Sequence, residues 1–514
     1  MSSLHKMNVK TGLFPYLNIG GMRYFVLFIC VLWSLNLSAQ DSFVEQHDKV
    51  MSGFNEFRSS IMSDYESFRE KIIKDYCDML KEAWSQLEAF RGEPLPIEKQ
   101  LPPVVFPEED IDKPILDNPK PIEEVVRPEN PQPQPTPVIP VKPIQTPNPQ
   151  KFSFVFLGTE LTIRLDKNNM PILTSSKGED LAAFWAEICD ERYDAILEDC
   201  LNLRENLHLC DWAYLLLLRE LGNSVYKDCH DSAVLLMTYL YCRAGYTTRL
   251  CYTEIGNLCL LYASQHFIYE KSYWQIDGVN FYALDYDGET VYMCPASFPK
   301  EKPLSLFMTN SQSLAYAASS PRSLASKRYP DCQATVSVNK NLISFFNTYP
   351  ASVYGDDIMT RWAMYANTQL EDGVKKMLYP ALRDIIQGLS QQDAANVLIN
   401  WVQTAFVYEL DDKVWGHDRA FFAEESLYYP YCDCEDRSIL FSRLIRDLLG
   451  LDVVLVFYPG HLATAVHFTD DIKGDYIMVE GKKFLICDPT YIGAPIGLTM
   501  KGMDNATCKA ILLE

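Results

Sequence analysis

"YYPYCDCEDRSILFSRLIRDLLG", residues 428–450, sets two cysteines and three acids directly ahead of a run with helical apolar spacing. Ile439, Leu440, Leu444, Ile445, Leu448 and Leu449 fall on one face of a helix, and Gly450 is a natural stop. Cys434 therefore lies at or near a helix N-terminus, where unpaired backbone N–H groups and the macrodipole favour a thiolate. A cysteine so placed can be a nucleophile, a metal ligand, half of a disulfide or a packing residue. The segments around it bear on the choice.

Downstream the sequence is strand-like: "DVVLVFY" (452–458), then Pro459-Gly460-His461 opening "LATAVHF", then "DYIMVEG" and "KKFLICDPTY". Cys434 on the helix, His461 at the head of one strand and Asp488 at the end of a later one form an ordered set. Such a set suits nucleophilic acyl transfer: sulfur attacks an amide carbonyl, imidazole moves the proton, and the carboxylate orients the imidazole. The three blocks "DCEDRS", "GHLATAV" and "CDPTYIGA" resemble the signature blocks of the transglutaminase-like superfamily, a branch of the papain-like cysteine enzymes, over roughly residues 380 to 495. The resemblance implies Cys434 as nucleophile, His461 as base and Asp488 as orienting acid, with no metal and no organic cofactor. A retained fold with lost activity is the competing reading.

Neighbouring residues have weaker claims. Cys432 precedes the Cys-x-Asp position by two residues and falls off the helix end, and His467 reads as a strand-edge histidine. The backbone N–H of Cys434 is the generic oxyanion donor. Trp415 and His417, in "VWGHDR", either line the cleft or pack its approach. A disulfide from Cys432 or Cys434 to Cys487 would block catalysis until reduced.

The same pattern occurs earlier. "DCHDSAVLLMTYLYCRAGYTTRLCYTEIGNL" aligns with "DCEDRSILFSRLIRDLLGLDVVLVFYPGHL": Cys229 to Gly245 and Cys434 to Gly450 each span 16 residues, and Asp231 matches Asp436. Asn257 stands at the position of His461, and Asp285 lies 28 residues past Asn257 as Asp488 lies 27 past His461. This is an internal repeat. Asparagine cannot act as a general base, and only a shifted geometry would let His266 replace it. The first copy is expected to be a structural or substrate-binding partner, with a cleft between the two.

Residues 24 to 37, "YFVLFICVLWSLNL", form one apolar stretch after Arg23, followed by Ser38-Ala39-Gln40. This reads as a signal peptide cleaved near Ala39, since the stretch is shorter than the roughly 20 residues that span a bilayer. Export to the periplasm, the cell surface or the medium follows, and membrane contact arises only if the segment stays uncleaved. Residues 54 to 90 repeat an eleven-residue unit whose apolar positions step 3, 4, 4 from Phe54 to Phe90, predicting a nearly straight helix with one apolar face. That face packs on the protein's own globular part, or serves self-association or a protein partner. Similar repeats resemble those of exported Bacteroidetes-type proteins. Residues 93 to 150 are dense in proline and predict an extended spacer.

The expected fold class is α+β, with two papain-like, transglutaminase-like domains preceded by a long amphipathic helix and a Pro-rich linker. The expected boundaries are 1–39 leader and signal, 40–92 helix, 93–150 linker, 151–310 degenerate first domain, 311–352 connector and 353–514 catalytic domain. The net charge of −22 argues against nucleic-acid binding, which needs clustered Lys and Arg. No repeated C-x-x-C or zinc-finger histidine spacing occurs among the 15 cysteines, which argues against a structural zinc site. The expected function is an exported cysteine peptidase or amidase acting on peptide or protein substrates. The alternative is a non-catalytic binding or scaffolding protein.

Overall fold

The computed structural model describes residues 150–514, apart from 191–192, 289, 294–296, 298–299, 309 and 356–358. Ahead of them it describes 71, 73–81, 84, 88–91, 121–128 and 133–137. The expected signal segment and the helix up to residue 70 lie outside the described residues. Among the described residues no helix is long and apolar enough to cross a membrane.

Two pieces of the N-terminal stretch are extended, β1 (Glu88–Arg91) and β2 (Val125–Val126). In the first half, helices α1 (Asp211–Val225) and α2 (His230–Arg243) precede the sheet strands β3 (Thr248–Thr253), β4 (Leu258–Ala263), β5 (Tyr273–Ile276), β6 (Val279–Ala283) and β7 (Thr290–Met293). In the second half, α3 (Gln391–Ala405) and α4 (Cys434–Leu449) precede β8 (Asp452–Tyr458), β9 (His461–His467), β10 (Tyr476–Val479), β11 (Lys482–Cys487) and β12 (Lys509–Leu512). The fold is α+β.

The strand orders are β1-β7-β3-β4-β6-β5 and β2-β12-β8-β9-β11-β10, position for position the same. Shared topology on top of shared spacing establishes the duplication. The two edges differ in one respect: β1 runs antiparallel to β7, while β2 runs parallel to β12. Central strands β4 and β9 are buried along almost their whole length, as their near-continuous apolar sequences "LCLLYA" and "HLATAVH" require. One face of each sheet forms its own core, around Leu261, Trp274 and Phe281 in the first and Val456, Ala465 and Ile486 in the second.

The stretch "KFSFVFLGTELTIRL" folds as two strands, Lys151–Phe156 and Thr159–Arg164. Leu157 and Gly158, at φ 44° and 71°, make the tight turn between them.

Two expectations need correction. Helical structure over 74–81 does not continue to residue 90, because residues 88–91 are the extended strand β1. Trp84 donates its Nε1–H to the Ser176 carbonyl, packs on the Tyr252 ring, and lies ahead of β1, which joins the first sheet. Among the described residues the buried face is Tyr76, Leu80 and Trp84, stepping by four, while Met79 is only half-buried. Tyr76 stacks against Trp185 at 4.8 Å, so this part of the helix packs on the protein's own first half.

The described parts of 93–150 are extended but do not form a free spacer. Ile122 enters the second core, its N–H bonds the Met478 carbonyl, and β2 extends the second sheet. Further on, Gln134 Nε2 donates to the Leu209 carbonyl and the Pro135 carbonyl accepts from Arg204. The stretch is a strap across both halves. Within the expected connector, 311–352, the hairpin Arg322–Ala325 with Gln333–Val336 is tied to α3 by Trp401 Nε1–H to the Leu324 carbonyl and by Ser326 to Asn400.

Candidate active site

The N-terminus of α4 is fixed by a reciprocal cap. The Asp433 side chain accepts from the Asp436 N–H, and the Asp436 carboxylate accepts from the Asp433 N–H at 3.2 Å. The other Asp436 oxygen accepts from the Phe421 N–H at 2.8 Å. Gly450 closes the helix at φ 66°, as expected. Cys434 is thus the first helical residue, and Ser438, one turn on, donates to the Leu462 carbonyl at 2.9 Å and pins the helix to β9.

The β8–β9 hairpin turns through Pro459 and Gly460, the latter at φ 83°, and pairs Tyr458 with His461. His461 is thereby the first residue of β9, and the N–H of its neighbour Leu462 points at the Cys434 sulfur. Strand β9 pairs Thr464 with Cys487 of β11, so Asp488 emerges beside His461. His461 Nε2 lies 2.8 Å from Asp488 Oδ2, and both side chains are buried. Asp488 Oδ1 accepts from the N–H groups of Thr490 at 2.8 Å and Tyr491 at 3.2 Å. One carboxylate oxygen is held by its own turn and the other by the imidazole. An Nε2–H donated to Asp488 puts the ring lone pair on Nδ1. The three expected residues are therefore brought to one place by α4, β9 and the end of β11.

The electrostatics differ from the expectation of a thiolate. Burial pushes the Cys434 thiol well above its ordinary range, and the charges of Glu435 and Asp433 act in the same direction. The Cys434 S–H donates to Glu435 Oε2 at 3.1 Å, and only the Leu462 N–H opposes the rise. A helix N-terminus is worth about 0.3–1 kcal/mol to an anion, less than one pKa unit at about 1.36 kcal/mol. Two flanking carboxylates and burial outweigh it. In this structure Cys434 is a thiol.

The carboxylates around it form a buried group. Asp411, Asp433, Glu435 and Asp436 are all at most 7% exposed. Their carboxyls are raised by burial first and by neighbouring acids second, Glu435 by Asp418 and the others by members of the group, with Asp411 reaching about 8. Asp411, Asp418 and Glu435 present ligand atoms within 4.8 Å of one another, and so do Asp411, Asp433 and Asp436. These are the residues that could hold a hard divalent cation. Asp418 also pairs with Arg361 at 2.5 Å, and Asp411 Oδ2 accepts from the Arg419 N–H at 2.6 Å.

Sequence reasoning missed several of these residues. Asp411 and Asp418 flank "DKVWGH", where the two residues noticed take lesser parts. Trp415 lies under the Arg419 guanidinium at 4.3 Å, and His417 is an exposed residue bonded to the Trp415 carbonyl. Tyr408 was also missed. It sits on a short strand, Val407–Tyr408, that pairs with Tyr431–Cys432, and burial with Cys434, Asp433 and Glu435 nearby keeps its phenol protonated. The only signal was aromatic character ahead of the acidic stretch. Cys432 is buried, and His467 Nδ1 bonds the Lys483 carbonyl at 2.9 Å, away from the site. Cys432, Cys434 and Cys487 are free thiols.

The first copy has lost this arrangement. Cys229 is exposed just ahead of α2, and the Leu258 N–H, counterpart of the Leu462 N–H, is taken by Asp231 at 3.0 Å. Asp285 pairs with Arg219 at 2.9 Å. His266 packs edge-on to Phe307 at 4.7 Å and beside Tyr354 at 5.2 Å, and burial drives its imidazole down to about 3. It is a core histidine.

Residues 74–514 form one unit, and a cavity of about 690 Å³ separates its two copies. Trp212 and Tyr262 wall it on one side, Tyr349 and Phe422 on the other, and Asp418 and Arg419 connect its wall to the acidic group. That volume falls within the usual range of ligand clefts. Comparison of the chain with family models, curated proteins and solved structures finds no match in any of the three.

Proposed function

We propose that this chain is a transglutaminase-like cysteine enzyme, with papain-like architecture in each copy, that transfers acyl groups from peptide or protein amides. The observation that carries the reading is the buried His461–Asp488 pair beside a helix-start thiol. In the simplest reaction Cys434 sulfur forms a bond to the substrate carbonyl carbon as its proton passes to His461 Nδ1. The tetrahedral oxyanion meets the Cys434 N–H and the Tyr408 phenol. The C–N bond then breaks, the leaving amine takes the proton from His461, and a thioester remains. Water, deprotonated by His461, releases the acid and restores the thiol. An amine in place of water gives transamidation by the same steps. Because the resting group is a thiol, His461 acts as a general base during attack and not as half of a preformed ion pair.

The degenerate first copy supports a division of labour, with one copy performing chemistry and the other serving as a structural or substrate-binding partner. Export by the N-terminal segment belongs to the same proposal.

The test is labelling of the reduced protein with a peptide-based cysteine electrophile, read by peptide mass spectrometry beside Cys434→Ala and His461→Ala. Labelling confined to Cys434, and slowed at least tenfold without His461, is the expected result. Equal labelling of other described cysteines would leave the second reading, a binding protein. The protonated Cys434 and the lost first site favour that reading.

A further inference from the structure

We infer that Gln403 and Arg437 are positioning residues: together they form a buried polar bridge that locks the turn carrying Asp488 to the helix carrying Cys434. Gln403 lies two residues from the end of α3 and is 1% exposed. Its Nε2 donates to the carbonyls of Asp488 at 3.1 Å, Tyr491 at 2.8 Å and Ala494 at 3.1 Å, while its Oε1 accepts from the Gly493 N–H at 3.2 Å. One amide thus gathers four backbone groups of the turn 488–494. The Asp488 carboxylate is aimed by the Thr490 and Tyr491 N–H groups of that turn, so the turn's shape sets the direction in which Oδ2 meets His461.

The other half of the bridge starts from the main chain of the same residue. The Gln403 carbonyl accepts from Arg437 Nη1 at 3.2 Å, and Nη2 of that guanidinium donates to the Phe406 carbonyl at 3.2 Å. Arg437 lies one turn beyond Cys434 on α4 and is fully buried. It satisfies carbonyls at the C-terminal end of α3, which have no partner within their own helix. A single residue, Gln403, therefore touches the acid turn with its side chain and the nucleophile helix with its backbone. Misplacement of reacting groups by about 1 Å can cost about 10²-fold in rate, so such a bridge acts on chemistry through geometry alone.

The kinetic part of this inference rests on the acyl-transfer reading; the geometric part does not. The experiment uses the full chain with Gln403→Leu, Asp488→Asn and, as a control for a lost buried hydrogen bond outside the site, Thr238→Ala in the first copy. Two quantities are read: the low-field proton resonance of His461 Nε2–H, assigned by its loss in Asp488→Asn, and the rate of Cys434 alkylation by a haloacetamide. Gln403→Leu is expected to broaden or shift that resonance and slow alkylation about tenfold or more, while Thr238→Ala changes neither. Retention of the wild-type resonance in folded Gln403→Leu would overturn the inference. If Gln403→Leu fails to fold, Arg437→Lys, which keeps the charge but cannot span both carbonyls, carries the same two readouts. Wild-type alkylation that is indifferent to His461→Ala would sink the enzyme reading, and the resonance would still decide whether the bridge positions Asp488.

Discussion

At the scale of single residues, Glu435 decides the state of the nucleophile. Its carboxylate accepts the Cys434 S–H and raises the thiol by charge as well, second only to burial. Glu435→Gln removes the charge and keeps a side chain of the same length. Iodoacetamide alkylation of Cys434 is therefore expected to become several-fold faster at pH 7 to 8 and to begin at lower pH. An unchanged pH profile would show that Glu435 does not control the thiol. Asp488→Asn keeps the shape of the His461 contact but loses its charge, and a fall of about 10²–10⁴ in turnover with little change in stability is expected once a substrate is in hand. The residues behind these predictions were unequally legible in the sequence. Cys434, His461 and Asp488 stood out because local spacing fixes each at the start or end of an element. Glu435 was visible as a neighbour, yet its effect was not, because the balance between a helix N-terminus and a buried carboxylate depends on burial. Gln403, Tyr408 and Asp411 come from upstream elements, and only tertiary packing brings them to the site.

Elements show how the two copies diverged around the same plan. Gly245 and Gly450 end equivalent helices, both with positive φ, at 98° and 66°. A Cβ on Gly450 would meet nothing within 4 Å, whereas one on Gly245 would lie 2.1 Å from the Thr136 carbonyl oxygen of the strap. Gly450→Ala should therefore cost only the left-handed backbone penalty, about 1–2 kcal/mol. Gly245→Ala should cost more and displace the strap, read as a lower urea midpoint together with new protease cleavage between residues 128 and 150. Equal losses in the two variants would mean that the strap does not depend on this close approach. The helices and long strands of both copies were readable from apolar periodicity, and the repeat from matched spacings. The edge strands were not. A strand of two to four residues has no period to read, and the partners of β1 and β2 lie hundreds of residues away in sequence. Proline density predicts an extended segment over 93–150, and its described parts, 121–128 and 133–137, are extended, but composition cannot reveal that such a segment is docked.

For the molecule as a whole, the buried acids set a pH dependence opposite to ordinary acid denaturation. Asp411 is held up to about 8, and Glu424 and Glu425 to about 7, in each case chiefly by burial. The folded protein keeps these protons at pH values where the unfolded chain has released them, so the unfolded state binds fewer protons and stability falls as pH rises. The loss should begin above about pH 4 and extend through about pH 8. In EDTA, the melting temperature is expected to drop between pH 5 and pH 8, by about 1 °C for each kcal/mol lost in a unit of this length. Asp411→Asn should flatten that slope, and a melting temperature that climbs over the same interval would contradict this account of the acidic group. The strap has a separate consequence, for the order in which the chain can assemble. Val125 must wait for Ala510 and Val126 for Ile511, so the second sheet cannot close along that edge until β12 has been synthesised. Closing so long a loop is slow, because its entropy is lost before the contact forms. Breaking the pairing of β12 would free both β2 and the outer edge of β8, so this one short strand latches the strap and the sheet together.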